Sequence, residues 1–260
     1  MRYFLKLSYL GASFHGWQIQ PNAVSVQETV EKSLSTILRT AISITGAGRT
    51  DTGVNARIMY AHFDNGFIID DKKKFLLSLN RLVGKNIFIE DILPVSNNAH
   101  ARFDATLRTY KYFIGFDKNP FLNHLYWKSP TSLDVEEMNK AASLLLETKD
   151  FTSFAKLHSD VKTNICEVSE AEWKPIREDI EAIKFIGDPG NGIVFTISAD
   201  RFLRNMVRAI VGTLVDVGRR KISVNTFKTI IESKDRCRAG TSMPPEALYL
   251  WNIIYPDSVI

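Results

Sequence analysis

Polar and apolar residues take turns from Tyr3 to Tyr9, with Tyr3, Leu5, Leu7 and Tyr9 on one side, and this period of two predicts a strand in a half-buried sheet. Ser25-Val26-Gln27-Glu28 reads as a capping box. Ser25 accepts from the amide near Glu28, Glu28 reaches back to the Ser25 amide, and a helix starts there. Val26, Val30, Leu34, Ile37 and Leu38 give that helix one apolar stripe to lay on the sheet. Ile42 and Ile44 predict a short strand running into the turn Gly46-Ala47-Gly48-Arg49-Thr50-Asp51-Thr52-Gly53. A strand around Met59 to Phe63 follows, then a helix across Lys72 to Leu82 with Phe75, Leu76, Leu79 and Leu82 inward.

Arg108 to Gly115 alternates again, which puts Tyr110, Tyr112 and Ile114 on one strand face and Thr109, Lys111 and Phe113 on the other. Asp134 with Glu137 caps a helix carrying Val135, Met138, Ala142 and Leu145. A strand over Gly192 to Ser198, a long helix from about Arg201 to Val217 and a shorter helix after Ser223 complete the pattern. Strands and helices mixed in this order define an α+β chain. We place a division near residues 104 to 108, giving an N-terminal domain over 1–105 and a C-terminal domain over 106–260.

Composition changes this picture little: at 260 residues, 45% hydrophobic and 24% charged, the chain is an ordinary globular sequence able to bury a core without metals or disulfides. Cys166 and Cys237 stand far apart outside any Cys-x-x-Cys pair, which points to a reducing compartment, the cytoplasm, and away from a zinc site. No uncharged apolar run is long enough to span a bilayer, so neither export nor membrane insertion is expected. A net charge of +4 assists attraction to a polyanion but does not identify one.

Chemistry concentrates in two places. The Gly46-to-Gly53 turn carries Arg49 and Asp51 between glycines, an arrangement suited to a poised carboxylate and equally to a solvated turn with a local ion pair. It is neither a dinucleotide fingerprint nor a phosphate-binding P-loop. On the helix predicted from Arg201, one face holds Arg201, Arg204, Asn205, Arg208 and Gly212, and the other holds Leu203, Met206, Val207, Ile210, Val211 and Leu214. Three arginines with no acid suit phosphates or a buried carboxylate, or are simply a wet surface; the burial of Arg208 separates these readings. Tyr110 and Tyr112 are either sheet packing or, where accessible, a stacking surface for an extruded base. His15, His62, His100, His124 and His158 show neither metal-ligand spacing nor a Ser/His/Asp order, and read as surface or packing residues.

Taken together, the segments resemble the TruA family of tRNA pseudouridine synthases, in order and over nearly the whole chain. They are Gly16-Trp17-Gln18, Ser25-Val26-Gln27, Gly48-Arg49-Thr50-Asp51-Thr52-Gly53-Val54, Ala101-Arg102-Phe103-Asp104-Ala105 leading to Tyr110, and Asp150-Phe151-Thr152-Ser153-Phe154. Phe202-Leu203 with Met206-Val207-Arg208 and Ile210-Val211-Gly212, then Pro244-Pro245 before Leu248-Tyr249-Leu250, complete the set. The resemblance implies that Asp51 is the nucleophile, Tyr110 the aromatic beside the target base, and Arg49 and Arg208 cleft residues, with Arg201 and Arg204 as RNA-backbone contacts. It implies two related α+β domains, each a mixed, mainly antiparallel sheet with flanking helices, joined across a basic RNA-binding cleft. It also implies a homodimer and a tRNA substrate modified in the anticodon stem-loop, typically at positions 38 to 40. The isomerisation needs no cofactor. The same chemistry on other RNA uridines, and a non-catalytic tRNA-binding protein, are the competing readings. Asn55, Cys166 and Ala247 stand where the family usually has histidine, arginine and glycine, departures expected to bear on local RNA contacts.

Overall fold

A computed structural model describes residues 1–122, 124–157, 162–187 and 190–260; His158 lies outside them. Along the chain run β1 (Arg2–Tyr9), α1 (Val26–Leu38), β2 (Thr45–Gly46), β3 (Asn55–Asp64), α2 (Lys72–Leu82), β4 (Ile87–Val95), β5 (Leu107–Gly115), β6 (Trp127–Lys128) and α3 (Val135–Glu147). Then come β7 (Val168–Pro175), α4 (Ile180–Ile186), β8 (Gly192–Ala199), α5 (Met206–Gly218), α6 (Val224–Ser233) and β9 (Leu248–Ile254). The fold is α+β. Its strand pairs are antiparallel for β1–β3, β1–β4, β2–β3 and β7–β8, and parallel for β5–β6. Among the described residues, no helix is long and apolar enough to cross a membrane.

The chain divides into two compact units, one made of Met1–Arg108 with Leu250–Ile260 and the other of Thr109–Tyr249. In the first unit β1 lies between β4 and β3, with β2 on β3. Ser25 caps α1 by accepting from the Glu28 amide at 3.2 Å, a contact worth about 1 kcal/mol, while Glu28 turns to Lys32. The stripe Val26, Val30, Leu34 and Leu38 is buried. On α2 only Phe75 and Leu79 are buried; Leu76 is half-buried, and Leu82, the last residue of the helix, is exposed. Strand β1 is not polar on its second face throughout, since Phe4 is fully buried under Tyr255 at a centroid distance of 5.5 Å. Residues 250–260 thus return to close this unit: Tyr255 also meets Tyr60 at 5.2 Å and donates its hydroxyl to the Ala101 carbonyl, and Arg57 lies 4.7 Å from the Trp251 ring.

In the second unit β8 lies between β5 and β7, with β6 on β5. The alternation expected along β5 fails beyond Tyr110: Lys111, Tyr112, Phe113, Ile114 and Gly115 are all buried, so both strand faces are covered. Lys111 is tolerated there because its ammonium pairs with Asp179, which also caps α4 by accepting from the Ala182 amide. Asp134 caps α3, and Met138, Ala142 and Leu145 are buried as the helical spacing predicts. Helix α5 begins at Met206, one turn later than its periodicity suggests. Asn205, at φ 64°, breaks the helical path, and Arg201 and Arg204 sit on the non-helical approach rather than on one face with Arg208. The buried Leu203 stands at helical spacing from Met206 and Val207, so the pattern extends past the helix that produced it.

Candidate active site

The loop from Ala47 to Val54 is held on every side by its own unit. Gly46 has no room for a side chain, since a Cβ there would lie 2.5 Å from Cε2 of the buried Trp17. The Trp17 amide donates to the Thr50 carbonyl at 3.2 Å, and its carbonyl accepts from the Gln27 amide at 3.0 Å, so the loop is anchored through Trp17 to the first turn of α1. Gln27 and Glu31, on that helix, take the Ile44 carbonyl and amide at 3.1 and 2.8 Å. The Tyr9 hydroxyl and Thr50 Oγ1 share a buried hydrogen bond of 2.9 Å. Asn55 Oδ1 accepts from the Gly11 amide at 2.7 Å, and the Val54 amide closes the turn on the Asp51 carbonyl at 3.1 Å.

Asp51 emerges half-buried from this frame and Arg49 is exposed two residues earlier. The backbone on both sides of the carboxylate is tied down while the side chain keeps access to solvent. That is the geometry of a preorganised anionic group.

In the second unit, Tyr110 is half-buried, and its ring meets Phe202 edge-on at 5.0 Å and 83°. Tyr112, by contrast, is a core residue: it is fully buried, donates to the Pro244 carbonyl at 3.1 Å, and burial pushes its phenol far above the usual range. Arg208 on α5 is half-buried and its Nε donates to the Met243 carbonyl at 2.6 Å, while the Met243 amide donates back to the Arg208 carbonyl at 3.1 Å. The segment 239–243 is strapped to α5. A Cβ on Gly212 would lie 1.8 Å from the Thr241 carbonyl oxygen. Thr213 Oγ1 accepts from the Gly240 amide at 2.9 Å, and Ser242 Oγ takes Asn205 and Arg236 at 2.6 and 2.9 Å. Arg204 is exposed and Arg201 half-buried.

The three departures from the family pattern are all interior. Asn55 and Cys166 are nearly inaccessible, Ala247 is fully buried, and burial pushes the Cys166 thiol up to about 12. Asn55 is held by the Gly11 amide rather than facing solvent. Tyr9, Trp17 and Asn55 hold the frame of the Asp51 loop in the first unit and were not singled out by spacing, because each acts on a residue distant in sequence; in the second unit Arg236 helps hold the strap on α5 through Ser242. Among the described residues no group of three or more His, Cys, Asp or Glu is arranged to hold a metal ion.

An α+β chain with a rigid carboxylate loop, an edge-packed tyrosine and a strapped arginine is matched by a family model described as tRNA pseudouridine synthase over residues 141–256. Proteins named tRNA pseudouridine synthase A align along the full length. That of Parabacteroides distasonis is 50% identical over 258 residues, 99% of this chain and 97% of the relative. That of Bacteroides thetaiotaomicron is 52% identical over 263 residues, 99% and 92%, and that of Bacillus subtilis 34% identical over 261 residues, 99% and 100%. The chain belongs to the tRNA pseudouridine synthase A family.

Proposed function

We propose that the chain isomerises uridine to pseudouridine in the anticodon stem-loop of tRNA, typically at positions 38, 39 and 40, through the carboxylate of Asp51 and without a cofactor. The observation that carries this reading is the Asp51 loop itself, a half-buried acid on a backbone fixed by Trp17, Thr50 and Asn55, in a chain of this family.

The reaction breaks the bond between C1' and N1, turns the uracil and joins C5 to C1'. The hydrogen on C5 leaves as a proton and N1 gains one, so the product is an isomer and no electron acceptor enters. A carboxylate anion suffices, as nucleophile toward sugar or base or as base toward a sugar proton. Extruding the target base costs roughly a few kcal/mol, and stacking on an aromatic ring returns roughly 1–3 kcal/mol per base. Tyr110 is assigned that stack, with Phe202 fixing its ring. Arg49 and Arg208 are assigned to substrate beside the reacting nucleotide, and Arg201 and Arg204 to the RNA backbone. The working form is assigned as a cytoplasmic homodimer.

Asp51→Asn tests the assignment, since it keeps size and removes the anion. Affinity for an unmodified stem-loop should persist, because phosphate contacts dominate it. Pseudouridine formed in a single turnover should fall to background. Conversion within about tenfold of wild type, a barrier change of only about 1.4 kcal/mol, would mean that Asp51 is not the catalytic group.

A further inference from the structure

Phe103 is 73% exposed, yet its backbone is tightly bound within the first unit. His100 Nδ1 accepts from the Arg102 and Phe103 amides at 3.1 and 3.3 Å. The His100 amide donates to Asp104 Oδ2 at 2.7 Å, and the Asp104 amide donates back to the His100 carbonyl at 3.1 Å. Arg108 donates to the Arg102 and Ala105 carbonyls at 2.5 and 2.7 Å, and Tyr255 holds the Ala101 carbonyl. Beneath the ring lie His100, 4.2 Å away at 31°, and then His62, edge-on to His100 at 4.6 Å. Burial and the nearby Arg2 hold His62 at about 4, so it stays the neutral acceptor that the Ala101 amide requires. A large apolar ring is thus displayed on a turn built to keep it in place.

Three observations indicate what it is displayed to. The guanidinium of exposed Arg102 lies 5.7 Å from the Phe103 ring, so a cation accompanies the aromatic. Arg108 spans from the Arg102 carbonyl to the Ala47 carbonyl, at 3.4 Å, where the Asp51 loop begins. Along 98–106 the alternate residues Asn98, His100, Arg102, Asp104 and Thr106 are polar and Ala99, Ala101 and Ala105 are buried, so Phe103 is the one large apolar side chain this segment exposes. One rigid aromatic beside one cation matches an unpaired nucleobase with its phosphate.

We infer that Phe103 and Arg102 form a second base-binding platform, separate from Tyr110, on which an unpaired loop nucleotide of the RNA substrate stacks while Arg102 meets its phosphate. This rests on the RNA-modifying reading above. Its role is to hold the loop in register while the target uridine is turned out. Because the ring is already fixed, stacking loses little conformational entropy on binding.

The test uses the full chain with an unmodified anticodon stem-loop carrying a fluorescent purine analogue at loop positions in turn. Wild type should quench the probe at one position, and Phe103→Ala should abolish that quench and weaken binding roughly 5- to 100-fold with an unchanged salt slope. Phe103→Trp should restore both. Arg102→Ala should lower the salt slope by about one contact. Unaltered quench and affinity in Phe103→Ala overturn the platform while leaving the enzyme reading intact. Loss of affinity accompanied by a smaller sedimenting species in Phe103→Ala also overturns it, in favour of a contact between copies of the chain. A wild-type protein that neither binds nor converts the stem-loop removes the underlying reading and this assignment together.

Discussion

The hydroxyl of Tyr9 and Oγ1 of Thr50 meet at 2.9 Å inside the first unit, one residue before Asp51. A strand end and a loop 41 positions later are joined there by a single buried hydrogen bond. It fixes the peptide from which the candidate carboxylate projects.

Tyr9→Phe should therefore separate positioning from binding. Leaving Thr50 Oγ1 unpaired costs about 1–3 kcal/mol of stability. The single-turnover rate should drop several-fold while stem-loop affinity stays within about twofold, because no phosphate contact is touched. An unchanged rate alongside a lowered melting temperature would reduce this bond to a purely structural one.

Gly212→Ala should be among the more damaging single-methyl insertions in the second unit. The obstacle, the Thr241 carbonyl, is backbone on a segment held by Arg208, Thr213, Asn205 and Arg236, so neither side can yield cheaply. Overpacking of this kind costs about 1–3 kcal/mol, and thermal melting should fall by several degrees. Gly48→Ala, where nothing lies within 4 Å of the added carbon, is the matched control and should melt close to wild type.

Acid should weaken the first unit through His62. Burial, then Arg2 and His100, lower its folded value to about 4 from the ordinary 6.5, and His100 moves the same way through burial. Between those limits the unfolded chain binds protons that the folded chain refuses. Stability is thus fully present above about 6.5 and declines as pH falls toward about 4. Denaturant unfolding across that range should show the slope, and His62→Gln should flatten it; a variant with the wild-type slope would assign the effect to other groups.

The local parts of the fold were open to reading from the chain, and the parts made by distant pairs were not. Ser25 and Asp134 cap α1 and α3 as their spacing demands, since an N-cap acts within four residues. The Asp51 turn was recognisable by its glycines. Its rigidity was not, because Trp17, Tyr9 and Asn55 reach it across the fold. The start of α5 was misplaced for a different reason: Leu203 is buried, so it satisfies the helical period although its backbone is not helical. On β5, burial of both faces erases the alternation that would have marked Lys111 as interior. Phe103 belonged to a recognised motif, but nothing local distinguishes an exposed phenylalanine from a core one.

The return of residues 250–260 to the first unit makes the order of synthesis matter. Tyr255 packs on Phe4 and Tyr60, and Arg57 lies against Trp251, so the core under the Asp51 unit stays open until all of Thr109–Tyr249 has left the ribosome. A nascent chain halted anywhere in the second unit carries the acid on an unfinished scaffold. Cutting the gene between the units would not yield two portable pieces: the upstream fragment would lack the strand and aromatic rings that seal it, and would need them supplied again, by a rearranged chain or as a separate peptide.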